Sequence, residues 1–449
     1  GFAVTLSADN LLYCFVGVLL GTVVGILPGL GPLTTIAILL PITFKMEVTS
    51  AIIMLSGIYY GVAYGGTVTS VLMRIPGEAS SVVTCLDGYE MARKGRAGAA
   101  LGIAGIGSFF AGTVGVIGIS FLSPPLAELV LAFGPAEYAM LMLAGLTMVT
   151  YMSSGSLARS LLMAAFGLLL GTVGSDPINM TPRLTFGIVA LGDGVNLVPL
   201  AIGLFGLSEV LFMARQAAED MKVLPAPTGV LGFLPSREEA KRSVGPVVRG
   251  TVMGFLVGLL PGGGAVLASF LSYGMERKLS KHPEEFGKGA VEGVAGPESA
   301  NNAGTAGAFV PLLCMGIPAN AITALLLGAF IIHGVTPGPT ILERQPQVFW
   351  GVVASMYIGN VMLLILNLPL IGLFVRILQV PRAYLTPMIL VVCLIGVYSS
   401  SNNPVDVAIA VLFGFVGYFL RRHGFDLGIV AVALLVAGLW PKRRRAPAS

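Results

Sequence analysis

Charge is what this sequence has least of. Only 11% of its 449 residues are Asp, Glu, Lys or Arg, against about 25% in a soluble domain. Hydrophobic residues make up 55%, and mean hydropathy is +0.89. That balance excludes a water-exposed globule. Histidine and cysteine are scarce too, at 3 and 4 residues. Cys14, Cys85, Cys314 and Cys393 lie far apart without metal-ligand spacing, so they read as lone, packed thiols. His282, His333 and His423 sit in or beside apparent loops and read as solvated, and no transition-metal site or cofactor is expected. The net charge of +4 implies no nucleic acid; its natural meaning is Lys- and Arg-rich cytoplasmic loops. The chain opens at Gly1 without a basic n-region, which reads as a trimmed start and no signal peptide.

Long apolar runs take the place of charge. With about 20 residues per spanning helix, there is room for roughly ten to twelve membrane segments, some of them half-spans. The alternation that marks a barrel is missing. The expected fold is an all-α polytopic membrane protein.

Glycine and proline are abundant, at 60 and 28 residues, and one pattern of them occurs twice. Gly21 to Thr35 reads GTVVGILPGLGPLTT, and Gly254 to Ala268 reads GFLVGLLPGGGAVLA. Gly21/Gly254, Gly25/Gly258, Pro28/Pro261, Gly29/Gly262 and Gly31/Gly264 pair at one offset of 233. Proline lacks a donor and glycine tolerates unusual dihedrals, so a membrane helix should unwind there. Unwound backbone survives in a bilayer only inside protein or along a watery cavity. Paired interruptions in two halves of a membrane chain point to the binding site of a secondary transporter. Close packing of small residues is the plainer reading of each stretch taken alone.

The chain divides accordingly. Residues 1–214 form a first transmembrane repeat, with apolar segments near Leu11 to Leu27, Ala51 to Met73, Ala99 to Leu122, Ala136 to Met152, Leu157 to Val173 and Phe186 to Met213. Residues 215–249, basic and Pro-rich at the centre, read as a polar cytoplasmic linker. Residues 250–441 form a second repeat, and 442–449 a basic tail. Gly66-Thr67 answers to Gly304-Thr305, and Ile75-Pro76 to Ile317-Pro318. Two pseudo-symmetric repeats, inverted in the membrane and carrying broken or re-entrant helices, are expected. Arg421-Arg422 and Lys442 to Arg445 flank one apparent segment, and both cannot obey the positive-inside rule if that segment spans.

The stretches LLGTVVGILPGLGPLTTIAILLP, YGGTVTSVLMRIPGEASSVVTCLDGYEMARKGRAGAALG, GPESANNAGTAGAFVPLLCMGIP and ALLLGAF closely resemble the large membrane subunit of the bacterial tripartite tricarboxylate transporters, the TctA type. The resemblance covers nearly the whole chain. It implies a secondary transporter of the bacterial inner membrane, working with a small four-helix membrane subunit and a periplasmic solute-binding protein. The implied substrates are di- or tricarboxylates such as citrate, driven by an ion gradient. Where such proteins read Ile-Pro-Gly before small hydroxylated residues, this chain has Pro318-Ala319-Asn320, a departure that bears on the exact substrate.

The residues themselves suggest where the chemistry sits. A carboxylate needs donors, and half-helices opening after Pro28, Gly29 and Gly31, and after Pro261, Gly262, Gly263 and Gly264, offer backbone N–H groups and positive dipole ends. Thr34, Thr35, Ser80, Ser81 and Thr323 add hydroxyls; Asn301, Asn302 and Asn320 add amides. A coupling cation needs oxygen ligands, expected from unwound carbonyls at Gly65, Gly66 and Thr67 and at Ala303, Gly304 and Thr305. Sodium is the first choice of ion, with Glu298 keeping protons as the alternative. Several of these residues also have plain structural readings: paired Asn joining helices, hydroxyls bonding helix carbonyls, Glu298 capping its helix and Tyr59, Tyr60 and Tyr64 packing.

Other classes fit less well. Leu191-Gly192-Asp193-Gly194 is similar to the glycine-flanked aspartate of intramembrane aspartyl proteases, but that chemistry needs a second carboxylate and no matching one is evident. PGGGAV lacks the Lys-Ser/Thr of a phosphate-binding loop, which removes an ATP-driven pump. A transporter rather than an enzyme is expected, with a passive anion channel as the alternative.

Overall fold

A computed structural model describes residues 1–27, 31–152, 156–176, 181–188, 191–192, 194–215, 224–225, 230–262, 264–368, 370–373 and 382–439. It is an all-α polytopic membrane protein; among the described residues the only strands are Gly174–Ser175 and Pro182–Arg183. Among the described residues, six helical stretches are long and apolar enough to cross a membrane: Ala8–Ile26, Val48–Met73, Thr84–Leu131, Leu197–Arg215, Pro346–Asn367 and Pro404–Arg422. Shorter apolar helices stand beside them, among them Pro32–Lys45, Ala321–Ile332 and Gly428–Ala437. Each of these falls short of the ~20 residues a crossing needs.

Val48–Met73 lies inside the protein, and its apolar window is entirely buried. It is apolar on every side because every side meets protein. The Ala8–Ile26 helix lies along it backbone to backbone. A Cβ on Gly21 would stand 2.6 Å from the Ile58 carbonyl oxygen, and one on Gly25 2.6 Å from that of Val62. From the other side, a Cβ on Gly61 would fall 2.8 Å from the Val18 oxygen. Small residues replace the missing hydrophobic drive between helices in lipid. The Arg237–Gly258 and Glu292–Gly307 helices meet in the same manner: a Cβ on Gly254 would lie 2.6 Å from Ala300 Cα, and one on Gly258 2.9 Å from Gly304 Cα.

The sequence reading and the structure part company at definite places. From Arg237 onward the basic stretch read as linker is helix, started by a capping box in which Ser236 and Glu239 satisfy each other's backbone N–H. Two of its arginines are paired: Arg242 with Glu285 and Glu292 at 2.6 and 2.8 Å, Arg249 with Glu276 at 2.6 Å. The polar stretch Glu276 to Gly296 supplies all three carboxylates. The segment near Ala99 is the helix Ala97–Leu131, which runs past Pro124 and Pro125; a kink at Gly95, φ +77°, separates it from the helix Thr84–Met91. Gly428–Leu439 is only 12 residues long, about 18 Å. Arg421-Arg422 and the basic tail are thus not forced to opposite faces by its described length. His333, read as solvated, lies 3.0 Å from the Thr43 hydroxyl. All four cysteines are free and buried. Residues 216–223 and 440–449, with the heart of the linker and the basic tail, lie outside the described residues.

Candidate functional site

Four helices point their N-termini into one cavity of about 750 Å³. The first is Pro32–Leu39. Gly31 ahead of it is extended and Pro32 sets its first turn; the Thr35 hydroxyl donates back to the Gly31 carbonyl at 2.9 Å. The second is Gly264–Leu279, reached through Gly262 and Gly264, both at positive φ (+81° and +53°). The Gly262 N–H donates to the Ala319 carbonyl at 2.6 Å, so this break is tied to the Pro318-Ala319-Asn320 break.

That second interruption opens the third helix, Ala321–Ile332, whose cap is Asn320. The Asn320 Oδ1 accepts from the Thr323 N–H, and the Thr323 hydroxyl accepts from the Asn320 N–H, both at 2.9 Å. The fourth is Gly428–Leu439, where Asp426 Oδ1 accepts from the Gly428 N–H at 2.9 Å. Each N-terminus carries the positive end of its helix dipole.

A fifth strand of wall comes from Pro76 to Ser80. The long Val48–Met73 helix ends at Arg74 in the left-handed conformation, φ 59°, and the chain doubles back. Gly77 then lies against the Gly25 carbonyl and the Gly66 Cα, with no room for a side chain. This wedge sets Glu78 over Gly66, whose Cβ position is 3.1 Å from Glu78 Cγ. Glu78 Oε1 accepts from Asn301 Nδ2 at 2.9 Å and from the Ser80 hydroxyl. Behind it, Glu298 is 1% exposed; its Oε2 accepts from the Thr67 hydroxyl at 2.7 Å and its Oε1 from that of Thr84.

The far wall is Leu204 to Glu209 and Arg421 to Ile429. Leu204 and Phe205 belong to a π-helical turn, Ile202–Leu207, a device that occurs often at functional sites. The Phe205 carbonyl accepts from the Thr34 hydroxyl at 3.3 Å. Arg421 pairs with the buried Glu209 and lies 4.7 Å above the Phe212 ring.

Of the residues singled out in the sequence, Gly31, Thr34, Ser80, Gly262, Gly264 and Asn320 line this cavity. Thr35 and Thr323 stand just behind, holding helix ends. Ser81 is turned away, bonded to Ser70 and to the Glu78 carbonyl. Pro261 packs near Gly145. Asn302 does not reach the cavity: its Nδ2 donates to Ser108 at 2.6 Å and to the Glu298 carbonyl at 3.0 Å, the plain helix-joining role.

The expectation of unwound carbonyls is corrected. Gly65, Gly66 and Thr67 lie inside the Val48–Met73 helix, and Ala303, Gly304 and Thr305 inside Glu292–Gly307: Gly65 and Gly304 serve contact with other helices, and Gly66 makes room for Gly77 and Glu78, instead of breaking the helix. Glu298 is likewise mid-helix and caps nothing. Pro28, Gly29, Gly263 and Asp193 lie outside the described residues.

Sequence reasoning missed Glu78 as a wall residue, Arg421 with Glu209, and the N-terminus at Gly428. Arg421 looked like a flanking topogenic charge, and no local signal ties it to Glu209, 212 residues earlier. Tyr59, read as packing, accepts from Asn320 Nδ2 at the cavity edge.

Comparison with known proteins agrees with this architecture. The family model for the tripartite tricarboxylate transporter TctA family matches residues 11–431. The chain is 51% identical over 440 residues, 97% of its length and 87% of the relative's, to an uncharacterized 52.8 kDa protein in the TAR-I ttuC' 3' region of Agrobacterium vitis. It is 55% identical over 187 residues, 40% of its length and 77% of the relative's, to an uncharacterized protein in the TAR-II ttuC' 3' region of the same organism. No solved structure matches. A match over this much of the chain, on a membrane fold built around broken helices, places the protein in the tripartite tricarboxylate transporter TctA family.

Proposed function

We propose that this chain is the large membrane subunit of a secondary active transporter that imports di- or tricarboxylates, citrate-like in charge, across the bacterial inner membrane. Four helix N-termini around one cavity carry this reading. Each favours an adjacent carboxylate by about 0.3–2 kcal/mol, and none needs a mobile side chain to do so. About 750 Å³ is within the size range of small-molecule sites. Arg421 adds a planar guanidinium suited to a carboxylate.

The wall also holds Glu78, Glu209 and Asp426, so an anion entering alone meets like charge. A cation gradient supplies the counter-charge, and sodium is our choice over protons. Delivery by a periplasmic solute-binding protein and assembly with a small four-helix membrane subunit follow the family's tripartite organisation. Two glycine-packed helix pairs, each with one of the two PGxG breaks following its first helix, support an arrangement in two inverted repeats working by alternating access.

Uptake of a panel of di- and tricarboxylates into proteoliposomes, with and without a sodium gradient and the binding protein, tests the reading. Gradient-driven accumulation is expected. Equilibration that needs neither gradient nor binding protein overturns it in favour of a passive anion channel.

A further inference from the structure

Among the described residues that line the cavity, Arg421 is the one lysine, arginine or histidine. It sits on the last turn of the Pro404–Arg422 helix, far along the chain from both PGxG breaks. That helix packs on the π-helical turn through glycine: a Cβ on Gly417 would stand 3.0 Å from the Leu204 carbonyl oxygen, and one on Gly414 2.8 Å from Leu207 Cβ. The same turn accepts from Thr34 through the Phe205 carbonyl. Arg421 and the helix end at Pro32 are therefore held to one frame, on different walls of one cavity.

The guanidinium is fixed from two directions. Nη1 donates to Glu209 Oε2, and the group lies 4.7 Å above the Phe212 ring. Among the described residues this is its one hydrogen bond, so Nε and Nη2 keep N–H groups that no protein acceptor takes. Those two nitrogens share an edge of the planar fork, the edge that meets both oxygens of a carboxylate in parallel hydrogen bonds. Burial divides the pair in the same sense: the Arg421 side chain is 44% exposed and that of Glu209 6%. The acid is covered and holds the base still, while the base stays open to the cavity.

We propose that the Nε/Nη2 edge of Arg421 holds one carboxylate of the substrate while the helix N-termini at Pro32 and Ala321 hold another, and that Arg421 thereby sets the preference for acids with more than one carboxylate. Glu209 is the positioning residue. The proposal deepens the carboxylate-transport reading and rests on it. A monocarboxylate satisfies one wall and leaves the Arg421 edge to water. A dicarboxylate satisfies both walls, and gains the bidentate contact that the shorter-handed acid forgoes.

The test is binding of radiolabelled succinate and butyrate, acids of equal chain length with two carboxylates and one, to the full chain in lipid nanodiscs in sodium buffer. The parent should prefer succinate. Arg421→Gln should lose succinate affinity on the order of tenfold or more and keep its butyrate affinity, so the preference collapses. Arg421→Lys, which keeps the charge without the fork, should fall between. Glu209→Gln, whose amide oxygen still accepts from Nη1 without repelling an anion, should bind succinate at least as tightly as the parent. Arg422→Gln makes the same charge change one residue outside the lining and should match the parent. If Arg421→Gln elutes aggregated, its combination with Glu209→Gln leaves a neutral hydrogen-bonded pair, and the preference should be lost there too. A preference that survives in these Arg421 variants, an equal loss of both acids, or an equal loss in Arg422→Gln overturns the role of Arg421 and leaves the transport reading standing. A parent that binds neither acid overturns that reading and this one with it.

Discussion

The Asn320 amide nitrogen stands 3.1 Å from the Tyr59 hydroxyl, joining the cap of one cavity helix to the buried Val48–Met73 helix, 261 residues earlier. One side chain therefore does two jobs: its oxygen caps Ala321–Ile332 and its nitrogen fixes the cavity edge. Asn320→Ala should lower stability by about 0.5–2 kcal/mol, the usual value of a lost cap. Asn320→Asp keeps the cap oxygen but puts a negative charge on the wall of the cavity proposed to take the anion. Thermal unfolding should be near the parent's for Asp and reduced for Ala, while carboxylate counterflow should fall in both, and further in Asp. Equal counterflow in Asp and parent would remove Asn320 from the anion's path.

Arg421 is half exposed, whereas its partner Glu209 is buried. Removing the guanidinium leaves a buried carboxylate without its main counter-charge, which in fully buried pairs costs about 3–5 kcal/mol; solvent screening at Arg421 reduces this to roughly 1–3 kcal/mol. Arg421→Ala should therefore unfold at lower temperature, and Arg421→Ala combined with Glu209→Gln should recover most of the loss. Failure of the double variant to recover stability would show that the pair is not the source.

Glycine positions separate cleanly. At Gly25 an added methyl meets the Val62 oxygen at 2.6 Å and its Cα at 2.9 Å, so Gly25→Ala must force two helices apart, at about 1–3 kcal/mol. Gly274, inside the Gly264–Leu279 helix, has nothing within 4 Å of its Cβ position. Gly274→Ala should stabilise by up to about 1 kcal/mol through helix propensity alone. Chemical denaturation in mild detergent measures both signs.

The Arg242 guanidinium beside Glu285 holds that carboxyl below the usual carboxylate range. Its stabilising contribution is then fully present above the unfolded carboxylate's pKa and is lost as pH falls through the lowered, folded value. Stability should decline on the acid side and be flat through neutrality, as far as this group is concerned. In Arg242→Gln the acid limb should be shallower; an unchanged pH profile would detach the acid sensitivity from this cluster.

Much of the fold could be read from the chain because its information is local. Apolar runs gave Val48–Met73 nearly to the residue, and the two PGxG stretches marked helix ends at Gly31 and Gly264. What escaped was convergence. Nothing near Glu78 announces that Asn301, 223 residues later, will stand against it, and nothing near Gly428 says that a fourth helix will start at the same cavity. The glycines at 65 and 304 misled for a physical reason: the same absence of a side chain that lets a helix unwind also lets two helices touch, and only the partner decides which. Arg237 to Arg249 misled through charge, since Arg242 and Arg249 find carboxylates on other segments and so remain in a helix.

Helices that meet through glycine have no interlayer of side chains in which to slip, so Ala8–Ile26 and Val48–Met73 must travel together. In the alternating-access cycle proposed above, opening the cavity to one side of the membrane and then the other would fall to the lighter parts of its rim: the π-turn at Ile202–Leu207 and the short helices that begin at Pro32, Ala321 and Gly428. The stiff pair would be the anvil of that cycle, and its rim the moving jaw.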